Sequence, residues 1–194
     1  MNSSTSASGG GRRHVLLLLL LFAAPLAFAF WLYYGSSWRP SGLTSHGELI
    51  QPVIVLPALP KTTGDGNVLA GKWSLLVVGT GDAGCDTDCR NALIYARQTW
   101  LSLGRLASRV QRVLLAGPGC CDSAYLHHEH DGLVVADAGA GAGAAVLAPI
   151  PEPRGHYVFV VDPLGNLMMR YDVRQDPKGL RVDLQKLLEL SHIG

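Results

Sequence analysis

Two cysteines four residues apart, in Cys85-Asp86-Thr87-Asp88-Cys89, are the residues whose type and spacing speak most directly of chemistry. They stand where an apolar run gives way to a Gly-rich loop and a helix begins. Positions i and i+4 lie on one helix face, and Cα atoms so placed are about 6 Å apart, within the range a disulfide spans. A helix N-terminus favours thiolate through its dipole and free N–H groups, while the neighbouring carboxylates of Asp86 and Asp88 oppose it. Two convergent thiolates suit Cu(I) or Zn(II) and disfavour hard cations. The motif therefore supports a redox pair, a metal clamp, or both. A static disulfide is the plainer reading, but so short a loop constrains little of the unfolded chain and returns little stability.

A two-thiolate copper site wants a third ligand, and two sources exist. His156 opens a later apolar run, with a packing role at a strand end as its alternative. His127-His128-Glu129-His130-Asp131 has the composition of a metal cluster but lacks H-E-x-x-H spacing, so a solvated polar turn is the expectation there. Cys120-Cys121 are neighbours that bridge each other only with strain. They read as an auxiliary thiol pair, as thiols for another chain, or as buried fillers. Gly79-Thr80-Gly81-Asp82-Ala83-Gly84 satisfies G-x-G-x-x-G, but the acidic residue that should close the second strand of a dinucleotide site is replaced by Ala116-Gly117-Pro118. A nicotinamide site is therefore not expected.

These residues need elements to hold them. Residues 72–79 form a continuous apolar run ended by Gly, suited to a strand buried on both faces. Residues 86–107 carry Leu93, Ala96, Trp100, Leu103 and Leu106 near helical spacing, and 110–116 read as a second strand. A brief strand at 133–135 and a Gly-interrupted helix at 138–147 are weaker signals. Residues 156–161 and 167–171 flank Asp162-Pro163-Leu164-Gly165-Asn166, a hairpin signal. Residues 180–190 close with a helix whose Leu180, Leu184, Leu187 and Leu188 share a face. Strand, helix, strand, weak helix, hairpin, helix is an α/β order of the thioredoxin-like kind. In that arrangement the start of the first hairpin strand, with His156, faces the cysteine loop, and Cys120-Cys121 lie at the same end of the sheet as Cys85.

Composition bounds the rest. Of 194 residues 48% are hydrophobic and 16% charged, which excludes a disordered chain. Lys+Arg 16 against Asp+Glu 15 leaves +1, so no strongly basic surface exists to hold nucleic acid. Residues 15–34 carry no charge and, as a helix, are about 30 Å long, enough to cross a bilayer's hydrocarbon core. Arg12, Arg13 and His14 precede the run, and Trp31, Tyr33 and Tyr34 end it. That asymmetry predicts a cytoplasmic N-terminus and an exported remainder. Ala27-Phe28-Ala29 also fits a signal-peptide cleavage site, but the run exceeds the usual signal length, so a retained anchor is favoured. The expected organisation is a disordered cytoplasmic tail (1–14), a transmembrane helix (15–34), a Pro- and Gly-rich linker with a short edge strand at 53–56 (35–70), and a thioredoxin-like domain (71–194).

Gly71-Lys72-Trp73-Ser74-Leu75-Leu76-Val77-Val78-Gly79, followed by Cys85-x3-Cys89, resembles the opening of the Sco/SenC family. The run from His156 to Asn166, a His leading a strand into an Asp-Pro-x-Gly turn, resembles a second Sco segment. The tail from Asp162 to Arg170 is similar to a short Sco-like group of proteobacterial oxidase-assembly membrane proteins. Sco proteins are membrane-anchored, thioredoxin-fold factors that deliver copper to the Cu(A) centre of cytochrome c oxidase. The resemblance implies Cys85 and Cys89 as thiolate ligands and redox thiols, and His156 as the imidazole ligand, for Cu(I) or Cu(II). It implies as partners the oxidase subunit carrying Cu(A) and other assembly factors, and as location the bacterial inner membrane with a periplasmic domain. Asp86 and Arg90 stand where Sco proteins usually carry Pro. Two other classes stay open: a periplasmic thiol–disulfide oxidoreductase without metal, and a structural membrane subunit on a thioredoxin-like scaffold. Enzymatic turnover is not expected beyond thiol–disulfide exchange.

Overall fold

The computed structural model describes residues 9–35, 45–61, 65–79, 86–117, 119–175 and 178–194. The chain divides into two units, 1–43 and 44–194. The first contains α1 (Gly9–Gly35), which takes in the basic residues Arg12 and Arg13 ahead of the apolar run. Its Gly11–Gly35 stretch is long and apolar enough to cross a membrane once. Pro25 lies inside the helix, a position that membrane helices tolerate.

The second unit is one six-stranded sheet with helices packed on it. In chain order it comprises β1 (Glu48–Val55), β2 (Trp73–Gly79), α2 (Thr87–Ser102), a short 3-10 turn (Gly104–Arg109), β3 (Val110–Ala116), α3 (Ser123–Glu129), β4 (Leu133–Asp137), α4 (Gly141–Leu147), β5 (Tyr157–Val161), β6 (Asn166–Asp172) and α5 (Gly179–Leu190). The strand order is β1-β6-β5-β2-β3-β4. β2, β3 and β4 run parallel, and β5, β6 and β1 follow antiparallel to their neighbours. Within that sheet β3-β2-β5-β6, with their helices, give the α/β arrangement expected of a thioredoxin-like chain.

β2 is buried at every position because both of its faces are covered. Leu75 and Val77 point into one core with Leu93, Ala96, Val158 and Leu184, while Leu76 and Val78 point into the other with Val113, Phe159 and Val146. Each such side chain removed from water contributes about 1.5–3 kcal/mol before the entropy of ordering is set against it. The predicted hairpin turn forms as read. Asp162 accepts the backbone N–H groups of Leu164 (2.9 Å) and Asn166 (2.8 Å), and Gly165 takes a positive φ of 89° that favours Gly.

Three features differ from the sequence expectation. The stretch read as a linker supplies β1, longer than the edge strand read at 53–56, and contributes Leu56, Leu59, Val68 and Leu69 to the core. The helix read to 107 ends at Ser102 and continues as the 3-10 turn. Its last residue, Arg109, donates to the carbonyls of Leu188, Ser191, Ile193 and Gly194 and so satisfies the end of α5. The brief third strand extends to Asp137 as β4, parallel to β3.

Candidate functional site: a sulfur cluster at the ends of the parallel strands

β2 and β3 are parallel and in register to their last residues, Gly79 opposite Ala116. Both therefore deliver their carboxyl ends to one edge of the sheet, where α2 begins. Asp86 caps that helix, its carboxylate accepting the backbone N–H of Cys89 at 2.7 Å, the bond an N-cap makes to the third helical residue. The cap fixes the first turn of α2, and with it the side chain of Cys89, which is buried at 2% exposure on the face that also carries Ala92, Leu93 and Ala96.

After β3 the chain turns at Gly117, whose carbonyl accepts the N–H of Cys120 at 3.0 Å. Gly119 and then Cys121 adopt positive φ, 74° and 59°. For a residue with a Cβ this is a strained backbone, held at a cost of about 1–3 kcal/mol. The turn brings both neighbouring sulfurs to the same place. Cys120 Sγ lies 4.0 Å from Cys89 Sγ and 3.7 Å from Cys121 Sγ, and the three sulfurs lie within 4.8 Å of one another. Gly79 makes the room: a Cβ there would stand 2.1 Å from Cys120 Sγ and 3.4 Å from Cys89 Sγ.

Cys89 and Cys120 are free thiols, and Cys121 is disulfide-bonded. The two thiols share a proton unequally. Hydrogen bonding to Cys120 and burial push the Cys89 thiol well above its ordinary range, with the charges of Cys120 and Asp86 acting the same way and Arg90 against. The hydrogen bond from Cys89 brings Cys120 down to about 7, against burial and Asp86. Of the two, Cys120 is the thiol that more readily gives up its proton.

Cys85 lies outside the described residues, as does the Gly-rich loop beyond Gly79. His156 stands in the turn before β5. The register that pairs Val77 with Val158, carried two residues on, sets it opposite Gly79. Its ring, however, stacks on Tyr157 (4.4 Å between centroids) and its Nε2 is 3.9 Å from Asp172 Oδ2. The described structure does not bring His156 into the sulfur cluster. Asp172 also binds Arg174 through both of its oxygens at 3.0 Å, which holds its carboxyl below the usual range. Arg174 in turn feels the charge of Asp88 on the first turn of α2.

The histidine-rich segment is not the turn its composition suggested. His127 and His128 are exposed on α3, while His130 caps that helix and is buried at 2% exposure. His130 Nε2 meets Tyr125 Oη at 3.1 Å. Burial, then the charges of Arg112 and Arg97, keep its pKa below the ordinary value. Arg90 lies over the Tyr125 ring at 5.0 Å, so this small network borders the sulfur corner.

Sequence reasoning placed Cys120-Cys121 at the correct end of the sheet but not in contact with Cys89. The parallel order of the two strands was the signal that pointed there.

A thioredoxin-like domain with thiols gathered where β2 and β3 end and α2 begins defines a class of thiol proteins. The chain belongs to the family described as transmembrane-like, thioredoxin-like, C-terminal domain, whose model matches residues 73–191. Among solved structures it is similar to ScoI from Bradyrhizobium japonicum with copper bound, at 18% identity over 61% of this chain and 86% of that one, with a TM-score of 0.45. It is also similar to yeast Sco1 with copper bound, at 16% identity over 76% and 90%, TM-score 0.48. Arabidopsis thaliana ScoI with copper bound gives 16% identity over 63% and 88%, TM-score 0.46. No curated protein matches the sequence.

Proposed function

We propose that this chain is a membrane-anchored, Sco-like copper-binding and thiol-redox factor that serves assembly of the Cu(A) centre of cytochrome c oxidase. Copper is its cargo, Cys85 and Cys89 are its thiolate ligands, and His156 is the imidazole that completes the set. The oxidase subunit that carries Cu(A) is the receiving partner, alongside other assembly factors. The N-terminus is cytoplasmic, and the thioredoxin-like domain stands in the periplasm of a bacterial inner membrane. The observation that carries the reading is the gathering of the Cys120 and Cys121 sulfurs around that of Cys89 on the first turn of α2. Soft ligands gathered out of water select a soft cation and exclude Mg(II) or Ca(II).

Titration of the full chain in detergent micelles, reduced with a dithiol that is then removed, with Cu(II) under nitrogen tests it. One equivalent should bind with a sulfur-to-copper absorption band, and His156→Ala should remove that band. Failure to bind copper in either oxidation state, or binding indifferent to His156→Ala, refutes this ligand set.

A second reading, thiol–disulfide exchange without metal, is favoured by a specific observation. Cys120, with a pKa lowered to about 7, lies 3.7 Å from a sulfur already engaged in a disulfide. A reduction potential within reach of periplasmic dithiols, with exchange onto a partner's thiols, supports it; a couple that no dithiol reduces removes it.

A further inference from the structure

We propose that Cys89, Cys120 and Cys121 form a second, trithiolate site that takes monovalent copper, closed while Cys121 is disulfide-bonded and opened by its reduction. The proposal rests on the copper reading above for the identity of the cation and shares Cys89 with it, but it uses two cysteines outside the Cys-x3-Cys motif.

Geometry carries the inference. With metal–sulfur bonds of about 2.3 Å, the edge of a tetrahedral or trigonal thiolate set is about 3.8–4.0 Å. The sulfurs here stand 4.0 and 3.7 Å from Cys120, all three within 4.8 Å. Among the described residues no hard ligand joins the cluster, and two of its members, Cys89 and Cys120, are 2% and 6% exposed. Such a site suits Cu(I) or Zn(II) and has nothing to offer a cation that needs oxygen or water; the copper reading above selects Cu(I). Gly79 leaves the space into which the sulfurs converge, and the strained left-handed backbone of Cys121 aims the third sulfur at the other two.

The steps balance. A dithiol gives two electrons and two protons to the Cys121 disulfide, which opens to two thiols while the dithiol closes to its own disulfide. Cu(I) then displaces whatever protons the three sulfurs still carry, which pass to solvent, leaving three thiolates around one monovalent cation. Arg90, which acts electrostatically on Cys89 from over the Tyr125 ring, offsets part of the resulting negative charge. The imidazole of His156 takes no part, its ring being against Tyr157 and Asp172.

The test uses the full chain in micelles, reduced with a dithiol that is then removed anaerobically, and Cu(I) presented as its complex with a chromogenic chelator. The reduced chain should withdraw Cu(I), the oxidised chain should not, and X-ray absorption should show three sulfur neighbours without nitrogen. Cys120→Ser and Cys121→Ser should each weaken Cu(I) binding by more than the about 10–100-fold that loss of an outer-shell partner costs. His156→Ala should leave it unchanged. Thermal melts of the copper-free variants separate misfolding from ligand loss. Cu(I) binding unchanged in Cys120→Ser, or a site of two sulfurs and one nitrogen, overturns this inference while leaving the proposed copper function in place. Absence of copper binding in every state overturns both.

Discussion

Two buried polar centres sit in the same domain and are built on opposite terms. In one, Asp183 of α5 is 6% exposed and fully engaged. It accepts the backbone N–H of His46 at 2.6 Å and of Gly47 at 3.2 Å, and it bonds the His46 ring at 2.9 Å and Tyr171 Oη at 2.9 Å. Gly47 has no Cβ because one would stand 2.4 Å from the Tyr171 ring. In the other, the free thiols of Cys89 and Cys120 face each other beside the disulfide-bonded sulfur of Cys121, and a thiol is a weak donor and a weak acceptor. A buried carboxylate saturated by four groups is a fastener, tying the chain before β1 to the last helix. A buried group with only soft, weak partners keeps capacity for a ligand or an electron.

The largest expected effect belongs to the fastener. Asp183→Ala leaves the Tyr171 hydroxyl and two backbone N–H groups without their acceptor, and should cost about 3 kcal/mol or more in denaturant unfolding. Its effect on thiol chemistry in the folded fraction should be nil. If Asp183→Ala instead abolishes metal or thiol reactivity in folded protein, the two centres are coupled and the contrast between them fails.

That contrast also marks what was legible beforehand. β2 and the β5–β6 hairpin were readable because continuous apolar runs and an Asp-Pro-x-Gly turn are local signals. So was α2, through the helical spacing of Leu93, Ala96 and Trp100, although it ends at Ser102. β1 was readable only in part. Pro52 interrupts it, and its mixed burial blurs the alternation that marks a half-buried strand. The Asp183 centre joins residues 137 apart in sequence, and no local pattern announces such a bond. α3 was hidden because His127 to Asp131 looks like a polar turn by composition, whereas Asp122 caps a helix there through the N–H of Ala124. The sulfur corner was half legible: strand order gave the end of the sheet, but the positive φ of Cys121 that makes its sulfur converge is a tertiary fact.

Next in size is Gly79→Ala. The new methyl overlaps Cys120 Sγ, so the Cys89–Cys120 pair must separate or β2 must shift, at about 1–3 kcal/mol. Thiol titration and melting together check it. Separated sulfurs with a modest stability loss sharpen the comparison; an unchanged pair shows that the corner is less close-packed than its geometry indicates. Smaller again is Cys120→Ser, which replaces one small buried group by another and should cost no more than about 1–2 kcal/mol. It should nonetheless remove the lowered pKa altogether, so that no thiol is then alkylated with a midpoint near pH 7, while Cys89, still buried, stays above the ordinary range.

The smallest effect is a pair of pH signatures, and it separates the two centres. Burial pushes the Asp183 carboxyl up, but the hydrogen bonds from His46, Tyr171 and the backbone outweigh it and hold the group below its ordinary value of 3.8. A depressed carboxyl contributes stability that is present above the unfolded value and is lost as pH falls through the folded one. The His46–Asp183 contribution should therefore vanish only below about pH 4, and Asp183→Asn should flatten the acid limb of the stability curve. Cys120 titrates elsewhere. Its thiolate is the nucleophile, so the rate of its alkylation by a small reagent should rise through about pH 7, well below the 9.0 of an unperturbed thiol. A Cys120 midpoint near 9 would remove the hydrogen bond from Cys89 as its cause, and the sulfur corner would become a second structural centre instead of a reactive one.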